Sequence, residues 1–511
     1  MTRARAAALV VAAVALPAAA RAQPATSPAP ADAGRLVAAL AGETPLASDL
    51  AELTDRIGGR PTGGEANRRA VAWGVDKFRA MGVAARAEPF PMPGLWLERS
   101  ASATVEGAGV RFSPRVAAMP FSTATPAVGT TAPLVDAGRG TDADFARLGP
   151  RARGAFVLVE QDELKDIDGL FKEYADAADV ERRAFAAGVA GVVYMGSRPN
   201  DLLYRHNVNV NWANTRLMLV MDRDGALRAM RLLRAGLPLA ITERLDLERG
   251  PAFESANVVG EIRGATRPDE VVVVGAHLDS WDLGTGALDN GANVALVLDI
   301  ARQVHALGVR PARTMRFVLW NGEEQGMYGS AGYVRTHAAE LDRTAMTLTF
   351  DIGCGRITGF YTGGRPDVVA ATTRAVAPVA GYGPFTQVDQ PLVGTDNFDF
   401  MLAGVPNLVA NQEPATYGPN YHARSDEFGQ CDLRQLRQNA QIAGAVMWAA
   451  ANAPGRPPRQ SSAEVADLFK RTDLAQQMVA MGVWDEYARA KRGVAPVQPL
   501  PSTAPTATAT K

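Results

Sequence analysis

Two histidines and several carboxylates stand directly after stretches of sequence that predict buried β-strands. The clearest case is His277, which closely follows four consecutive valines and precedes Asp279 by two positions. In an extended segment, residues two apart point to the same side, so the Asp279 carboxylate can hold one ring nitrogen and leave the other for a metal ion. Asp289 follows a glycine-rich turn, where its carboxylate could bridge two cations.

Further polar residues follow the next predicted strands. Glu323 and Glu324 come after one strand, Asp351 comes after another, and His422 lies in a loop rich in glycine and proline. Adjacent glutamates at a strand end project in opposite directions, so one can bind metal while the other acts as a base. Because α/β sheets place their sites at the carboxyl ends of strands, we expect these side chains to converge.

The proposed ligands are two histidines and three carboxylates, a set without thiolate that suits zinc. Five ligands with one shared leave room on each of two ions for a bridging water. Each feature alone has an ordinary structural explanation, since a strand-end histidine, an Asp-Asn-Gly turn and a Glu-Glu pair are all common. Their joint appearance at successive strand ends favours a site for two Zn²⁺ ions.

These motifs resemble those of the co-catalytic zinc exopeptidases, which include bacterial leucine-type aminopeptidases and plasma glutamate carboxypeptidase. The resemblance covers residues 270–430 closely and 36–109 loosely. The runs His-Leu-Asp-Ser-Trp-Asp at 277–282 and Gly-Ala-Leu-Asp-Asn-Gly at 286–291 are most similar to the carboxypeptidase Q branch. The family therefore implies both a fold and a role for each matched residue.

The resemblance implies that one pair of residues holds each zinc ion and that a fifth residue bridges them. His277 and Asp351 would hold one ion, Glu324 and His422 would hold the other, and Asp289 would be shared.

The resemblance also implies roles for residues that do not bind metal. Glu323 would be the general base, Asp279 the carboxylate behind the first histidine, and Tyr421 the donor to the developing oxyanion. Many relatives have a Ser-Asp-His run where this chain has Gly-Thr-Asp-Asn at 394–397. This loop is expected to face the pocket, with Asp396 and Asn397 as candidates for substrate binding.

Strands and helices alternate after residue 257, which predicts an α/β fold with a mixed, mainly parallel sheet flanked by helices.

The region 116–249 loosely resembles the protease-associated domain that some secreted peptidases carry as an insertion; a separate second α/β lobe is the alternative. The predicted division is a signal peptide (1–22), a flexible leader (23–34), a first peptidase part (35–115), the insertion (116–249), the metal-site part (250–455), C-terminal helices (456–494) and a disordered tail (495–511).

The amino terminus has the pattern of an export signal. Arg3 and Arg5 precede an apolar run at 6–20, and the small residues of Ala-Arg-Ala at 20–22 suit cleavage. The apolar run is short for a membrane span of about 20 residues, so export to the periplasm or medium is favoured over a membrane anchor. In an exported chain Cys354 and Cys431 could form a disulfide, and two buried free thiols are the alternative.

The combined prediction is an exported zinc exopeptidase that hydrolyses dipeptides or short peptides. An aminopeptidase acting on longer peptides is the second hypothesis. A non-catalytic binding protein on a peptidase scaffold is the third, and the presence of every matched ligand and of the base disfavours it. The formal net charge of −1 gives no reason to expect nucleic acid as a partner. Peptide is the expected partner, no membrane span is expected after signal cleavage, and a homodimer is compatible with the sequence.

Overall fold

The computed structural model describes residues 30–207 and 210–484. The predicted signal peptide and the predicted tail lie outside the described residues. Residues 30–34, which the sequence assigned to a flexible leader, belong to the first helix, Pro30–Ala41. Within the described part of the chain, no helix is both long enough and apolar enough to cross a lipid bilayer.

Strands and helices are numbered in chain order. The strands are β1 (Ala84–Met92), β2 (Leu95–Gly107), β3 (Val110–Phe112), β4 (Val116–Ala118), β5 (Thr130–Asp136), β6 (Phe156–Val159), β7 (Gly191–Met195), β8 (Leu217–Met221), β9 (Leu239–Gly250), β10 (Phe253–Ile262), β11 (Arg267–His277), β12 (Arg313–Trp320), β13 (Thr344–Thr349), β14 (Ile357–Tyr361) and β15 (Asn407–Gln412). The helices are α1 (Pro30–Ala41), α2 (Leu46–Ala51), α3 (Glu65–Ala80), α4 (Asp142–Leu148), α5 (Ile167–Ala187), α6 (Arg223–Arg234), α7 (Ala292–Ala306), α8 (Tyr328–Thr336), α9 (Pro366–Ala375), α10 (Phe398–Leu402), α11 (Tyr417–Asn420), α12 (Leu433–Asn452), α13 (Ser462–Arg471) and α14 (Leu474–Ala480).

The first sheet carries the predicted metal ligands. Its strand order is β1-β10-β12-β11-β13-β15-β14. The central strands β12, β11, β13 and β15 run parallel, while β1, β10 and β14 pair antiparallel at the two edges. The predicted mixed α/β sheet flanked by helices is therefore confirmed, with its parallel part at the centre.

The run of valines in β11 is buried on both faces of this sheet. Val272 and Val274 pack into a core shared with helices α1, α7 and α12. Val271 and Val273 pack into a second core shared with helices α8, α10, α13 and α14. Successive side chains of a strand point to opposite faces, so a strand covered by helices on both sides must be apolar at every position.

The second sheet lies within residues 95–250, and its strand order is β3-β2-β9-β5-β6-β7-β8-β4. It begins earlier than the predicted boundary at 116, because β2 runs antiparallel to β9 from Leu95, opposite Gly250, to Glu106, opposite Ala240. Trp96 and Val105 of β2 are buried in the core of this sheet. The sequence placed them in the first peptidase part because no local pattern marks which sheet a strand will join. That this unit is of the protease-associated type remains a prediction.

Glu243 is a carboxylic acid inside the apolar core of the second sheet. Its side chain is on the face of β9 that also carries Ile241 and Leu245, and the residue has no exposed surface. Neither carboxylate oxygen has a hydrogen-bond partner. Burial raises the pKa of Glu243 well above the ordinary value of 4.5, because ionisation would place an unpaired charge in the core.

This burial predicts a pH-dependent stability. Above about pH 4.5 the unfolded chain ionises Glu243 while the folded chain keeps it protonated, so stability falls as the pH rises towards the folded-state pKa. We expect Glu243→Met to raise the urea midpoint more at about pH 8 than at about pH 5. The half-exposed Glu248 of the same strand provides the control, because Glu248→Met should show no such difference. Equal effects of Glu243→Met at both pH values would contradict the prediction.

Candidate metal centre

The candidate ligands follow neighbouring strands of the first sheet. His277 is the last residue of β11, opposite Trp320 at the end of β12, so Glu323 and Glu324 follow at the same edge. Asp351 follows β13, which pairs with β11 on its other side. The parallel register therefore brings together side chains that are far apart in the sequence.

Asp289 lies between two pairs, each formed by a histidine and a carboxylate. Its Oδ1 is 3.0 Å from His277 Nε2, and its Oδ2 is 3.5 Å from His422 Nε2. His277 Nε2 is also 3.4 Å from Asp351 Oδ1, while His422 Nε2 is 3.0 Å from Glu324 Oε2. The five predicted ligands thus form two groups that share one carboxylate.

The donor atoms of this cluster fit divalent cations. His277, Asp289 and Glu324 offer ligand atoms that all lie within 4.8 Å of one another, and His277, Glu323 and Asp351 do so as well. Asp289 Oδ2 and Glu324 Oε1 are buried without a hydrogen-bond partner. Buried carboxylate oxygens in this state are costly unless a cation binds them. The structure also brings Glu323, predicted as the base, within reach of one group.

Burial and mutual repulsion govern the electrostatics of the cluster. Burial raises the pKa values of Glu323 and Glu324 well above the ordinary range, and neighbouring carboxylates add to the effect. Burial lowers the pKa of His422 to about 4, so its imidazole is neutral at neutral pH and can coordinate a metal. Although burial lowers it, the pKa of His277 is raised well above its usual range by Asp351 and other carboxylates. A divalent cation would offset this excess of negative charge.

Asp279 supports the cluster differently from the sequence-based expectation. The His277 Nδ1–H donates to the backbone carbonyl of Asp279 at 3.0 Å, whereas the Asp279 carboxylate is 3.8 Å from that nitrogen. The carboxylate instead accepts hydrogen bonds from the backbone N–H groups of Glu323 and Glu324, each at 3.3 Å, and from the Thr62 hydroxyl at 2.8 Å. It therefore positions the turn that carries both glutamates, and His277 Nε2 keeps its lone pair for a metal.

Arg60 fixes the loop that joins the first histidine to the bridging carboxylate. It has no exposed surface, and its guanidinium donates to the carbonyl oxygens of Leu278 at 2.5 Å, Thr285 at 2.7 Å and Gly286 at 2.9 Å. Arg60 was not singled out in the sequence analysis. The sequence feature that could have indicated its role is the position of this arginine between glycines and a proline.

Comparison with known proteins agrees with this geometry. Residues 257–447 match the sequence model of peptidase family M28. The chain is 32% identical to carboxypeptidase Q of Rattus norvegicus over 229 residues, 45% of this chain and 48% of that protein. The alignment thus spans about half the length of this relative.

Solved structures give the same result. The structure of a peptidase M28 precursor from Shewanella amazonensis matches with a TM-score of 0.75 and 25% identity, covering 84% of this chain and 99% of that one. Residues 257–447 therefore form a peptidase domain of family M28. BSAP, a zinc aminopeptidase from Bacillus subtilis, shares the M28 fold, with a TM-score of 0.62 and 21% identity over 81% of this chain and 96% of that one.

The segment between β7 and β8 of the second unit holds the loop that carries the second histidine. Arg198 Nη2 donates to the Tyr421 carbonyl at 3.0 Å, and the Arg205 backbone N–H donates to the His422 carbonyl at 2.9 Å. His422 has a φ of 56°, a conformation that costs a residue with a side chain about 1–3 kcal/mol unless its surroundings impose it. Contacts from this segment supply that restraint.

A buried ion pair network joins the second sheet to the first metal-ligand loop. The Arg205 guanidinium is 2.5 Å from Glu98 on β2 and 2.6 Å from Asp282, which follows His277 by five residues. Charge-assisted bonds of this kind are strong when both partners are buried. No sequence pattern revealed them, because their partners are distant along the chain.

Tyr421 lies beside the metal ligands. Its ring stacks on that of His422 at a centroid distance of 3.7 Å, and its hydroxyl is 3.4 Å from the Tyr174 hydroxyl on α5. Tyr421, Tyr174 and Glu323 line the same cleft. The structure therefore adds Tyr174, a residue of the second unit that sequence reasoning did not single out.

The loop at 394–397 approaches the cleft through only part of its length. Gly394 lines the cleft. Asp396 has no exposed surface, and burial raises its pKa to about 8. Asn397 is engaged elsewhere, since its side chain donates to the Leu392 carbonyl at 3.0 Å and to Asn407 at 3.3 Å. These contacts support Asp396 as a neighbour of the site and give Asn397 a structural role.

Cys354 and Cys431 form a disulfide, which resolves the alternative that the sequence left open. Cys354 is three residues beyond Asp351, and Cys431 is nine residues beyond His422. The bond therefore links the segments that follow two of the predicted ligands.

The position of Thr62 allows the support of the glutamate turn to be tested. Thr62→Val keeps the shape but removes the hydroxyl that donates to Asp279, so we expect the free energy of unfolding to fall by about 1–3 kcal/mol. Urea unfolding measures the change. Thr373→Val is the control, since Thr373 is exposed and its loss should cost no more than about 0.5 kcal/mol. Equal stability of the two variants would mean that the backbone N–H groups alone hold the Asp279 carboxylate.

Proposed function

We propose that this protein is a metallo-exopeptidase that hydrolyses dipeptides or short peptides with two zinc ions per chain. The observation that carries the proposal is the placement of Asp289, whose two carboxylate oxygens face His277 and His422. A shared carboxylate between two histidine–carboxylate pairs is the arrangement that two neighbouring cations require. The description of BSAP as a zinc aminopeptidase supports zinc as the metal.

The residues around the cluster supply the remaining groups needed for peptide hydrolysis. When bound, the zinc ions would act as Lewis acids that activate water and polarise the scissile carbonyl. Glu323 takes the proton of the attacking water and delivers it to the leaving amine. The Tyr421 hydroxyl donates a hydrogen bond to the oxygen of the scissile carbonyl, which becomes negatively charged during the reaction. The nearby Tyr174 hydroxyl orients the Tyr421 hydroxyl.

The enclosure of the cleft supports short substrates. The cavity between its walls has a volume of only about 50 Å³. Its walls come from three parts of the chain: the loops with the candidate metal ligands, the second unit with Phe121 and Tyr174, and the segment after α14 with Met481 and Val483. An aminopeptidase that accepts longer peptides is the alternative within the same chemistry.

Charge in the cleft favours recognition of a free amino terminus. Glu323 and Glu324 line the cleft, whereas its described lining residues include no lysine or arginine. Asp396 is close enough to Glu323 to raise its pKa further. An ammonium group would therefore meet carboxylates, while a terminal carboxylate would meet no cationic side chain.

Export is a further part of the proposal. It rests on the signal-like pattern of residues 1–22 and on the Cys354–Cys431 disulfide, since disulfides persist mainly in oxidising compartments outside the cytosol.

The proposal predicts the metal content and the substrate requirements of the purified protein. Elemental analysis should give two zinc ions per chain, and chelation should abolish hydrolysis of unblocked dipeptides. Acetylation of the substrate's amino group should abolish hydrolysis, whereas amidation of its carboxyl group should be tolerated. Full activity with one tightly bound metal would contradict the paired site. A metal-loaded protein without activity on any peptide would favour the binding-protein hypothesis.

Glu323 and Glu324 should respond differently to the same substitution. Glu323→Gln removes the base but no assigned ligand, so both zinc ions should remain while turnover falls by about 10²- to 10⁴-fold. Glu324→Gln removes an anionic ligand, so zinc occupancy and turnover should fall together. Elemental analysis and steady-state kinetics of the two variants provide a matched pair. If only Glu323→Gln lost metal, Glu323 would be the ligand, as its position near His277 and Asp351 allows, and the roles would be exchanged.

A further inference from the structure

Asn207 is a buried residue that lines the cleft. Only 2% of it is exposed, and among the residues that the structure describes neither its Nδ2 nor its Oδ1 has a hydrogen-bond partner. It lines the same cleft as Glu323 and Tyr421. A buried donor and acceptor left unpaired are unfavourable, so a ligand that pairs with both would recover free energy.

The backbone of Asn207 is held in place by its neighbour. The His206 ring donates from Nδ1 to the Asn207 carbonyl at 2.7 Å, and the same ring stacks on Tyr194 of β7 at a centroid distance of 4.4 Å. His206 has no exposed surface, and burial lowers its pKa. The amide is therefore carried by a fixed wall of the second unit, and its side chain is available to a ligand in the cleft.

The chemistry of an amide identifies the group that it can bind. A carboxamide has a donor and an acceptor side by side, and a peptide group offers the complementary pair, C=O and N–H. A terminal carboxylate can accept from Nδ2 but leaves Oδ1 without a donor. A terminal ammonium can donate to Oδ1 but leaves Nδ2 without an acceptor. The unpaired state of both atoms of Asn207 therefore selects a peptide or carboxamide group.

We propose that Asn207 binds a peptide group of the substrate other than the one that is cleaved, and so makes the enzyme favour tripeptides over dipeptides. The inference rests on the proposed peptidase function and refines its substrate class. A dipeptide has only the scissile peptide group, and its adjacent carboxylate would lie near Glu323 and Glu324 in a cleft whose described lining has no lysine or arginine. A tripeptide replaces that carboxylate with the donor and acceptor that Asn207 lacks.

Three substrates separate hydrogen bonding from substrate length: an uncharged dipeptide, the same dipeptide as its C-terminal amide, and the tripeptide that extends it by one residue. We expect kcat/KM of the wild-type enzyme to be about 10-fold higher or more for the tripeptide and the dipeptide amide than for the dipeptide. The Asn207→Leu variant has a side chain of similar size that cannot form hydrogen bonds. It should lower kcat/KM about 10-fold for the tripeptide and for the dipeptide amide, and less than about 3-fold for the dipeptide.

The controls concern folding and metal content. Asn211→Leu alters an exposed asparagine in the same connecting segment and should leave all three values unchanged. Zinc content and thermal unfolding of Asn207→Leu should match those of the wild type. If that variant fails to fold, Asn207→Ala carries the same comparison.

Several results would overturn the role of Asn207. These are an equal loss for all three substrates, no loss for any, a greater loss for the dipeptide, or a wild-type preference for the dipeptide over its amide. Failure of the peptidase function itself would appear separately, as a wild-type protein that hydrolyses none of the three. In that case, calorimetric binding of the same peptides to wild-type and Asn207→Leu protein still decides whether the amide recognises a peptide group.

Discussion

The structure depends on holding several carboxylates close together in a buried space. Asp289, Glu324 and Asp351 converge around two histidines, and Glu323 lies beside them. Like charges at these distances repel strongly when water is excluded. Cations would offset this repulsion, so the same repulsion favours the binding of divalent metals at the cluster. Metal binding and folding are expected to be linked in this protein.

The protein holds these groups with contacts that are mostly outside the ligand set. The Asp279 carboxylate fixes the turn of the two glutamates, and Arg60 fixes the loop before Asp289 through three carbonyl oxygens. Each support acts on the backbone of a ligand-bearing loop, and among the described residues Asp289 Oδ2, Glu324 Oε1 and Asp351 Oδ1 have no hydrogen-bond partner. Second-layer contacts of this kind determine ligand orientation as much as the ligands themselves.

The sequence predicted the ligand-bearing strands because their signals are local. Four valines before His277 indicate a strand buried on both faces, and polar residues at the ends of parallel strands must meet at one edge of the sheet. Arg205 and Tyr174 were not found in this way, because each contacts residues that are distant along the chain, and Asn207 was not found because distant segments form the cleft that it lines. The start of the second sheet at Leu95 was missed for the same reason, since its partner strand ends at Gly250. Local periodicity reports which residues are buried, whereas these functions depend on which distant surfaces meet.

The second unit therefore contributes residues to the candidate metal centre and to its cleft. It supplies the backbone contact that holds His422, the hydroxyl that faces Tyr421, and the unpaired amide of Asn207. A module that only covered the cleft would leave the metal ligands in place when removed. Here, the left-handed conformation of His422 is restrained by hydrogen bonds from this unit, so its removal would free one metal ligand at the same time as it opened the cleft. The contacts that restrain His422 and several residues that line the cleft thus come from the same unit, so we expect substitutions that disrupt this unit to affect both the candidate metal centre and the cleft.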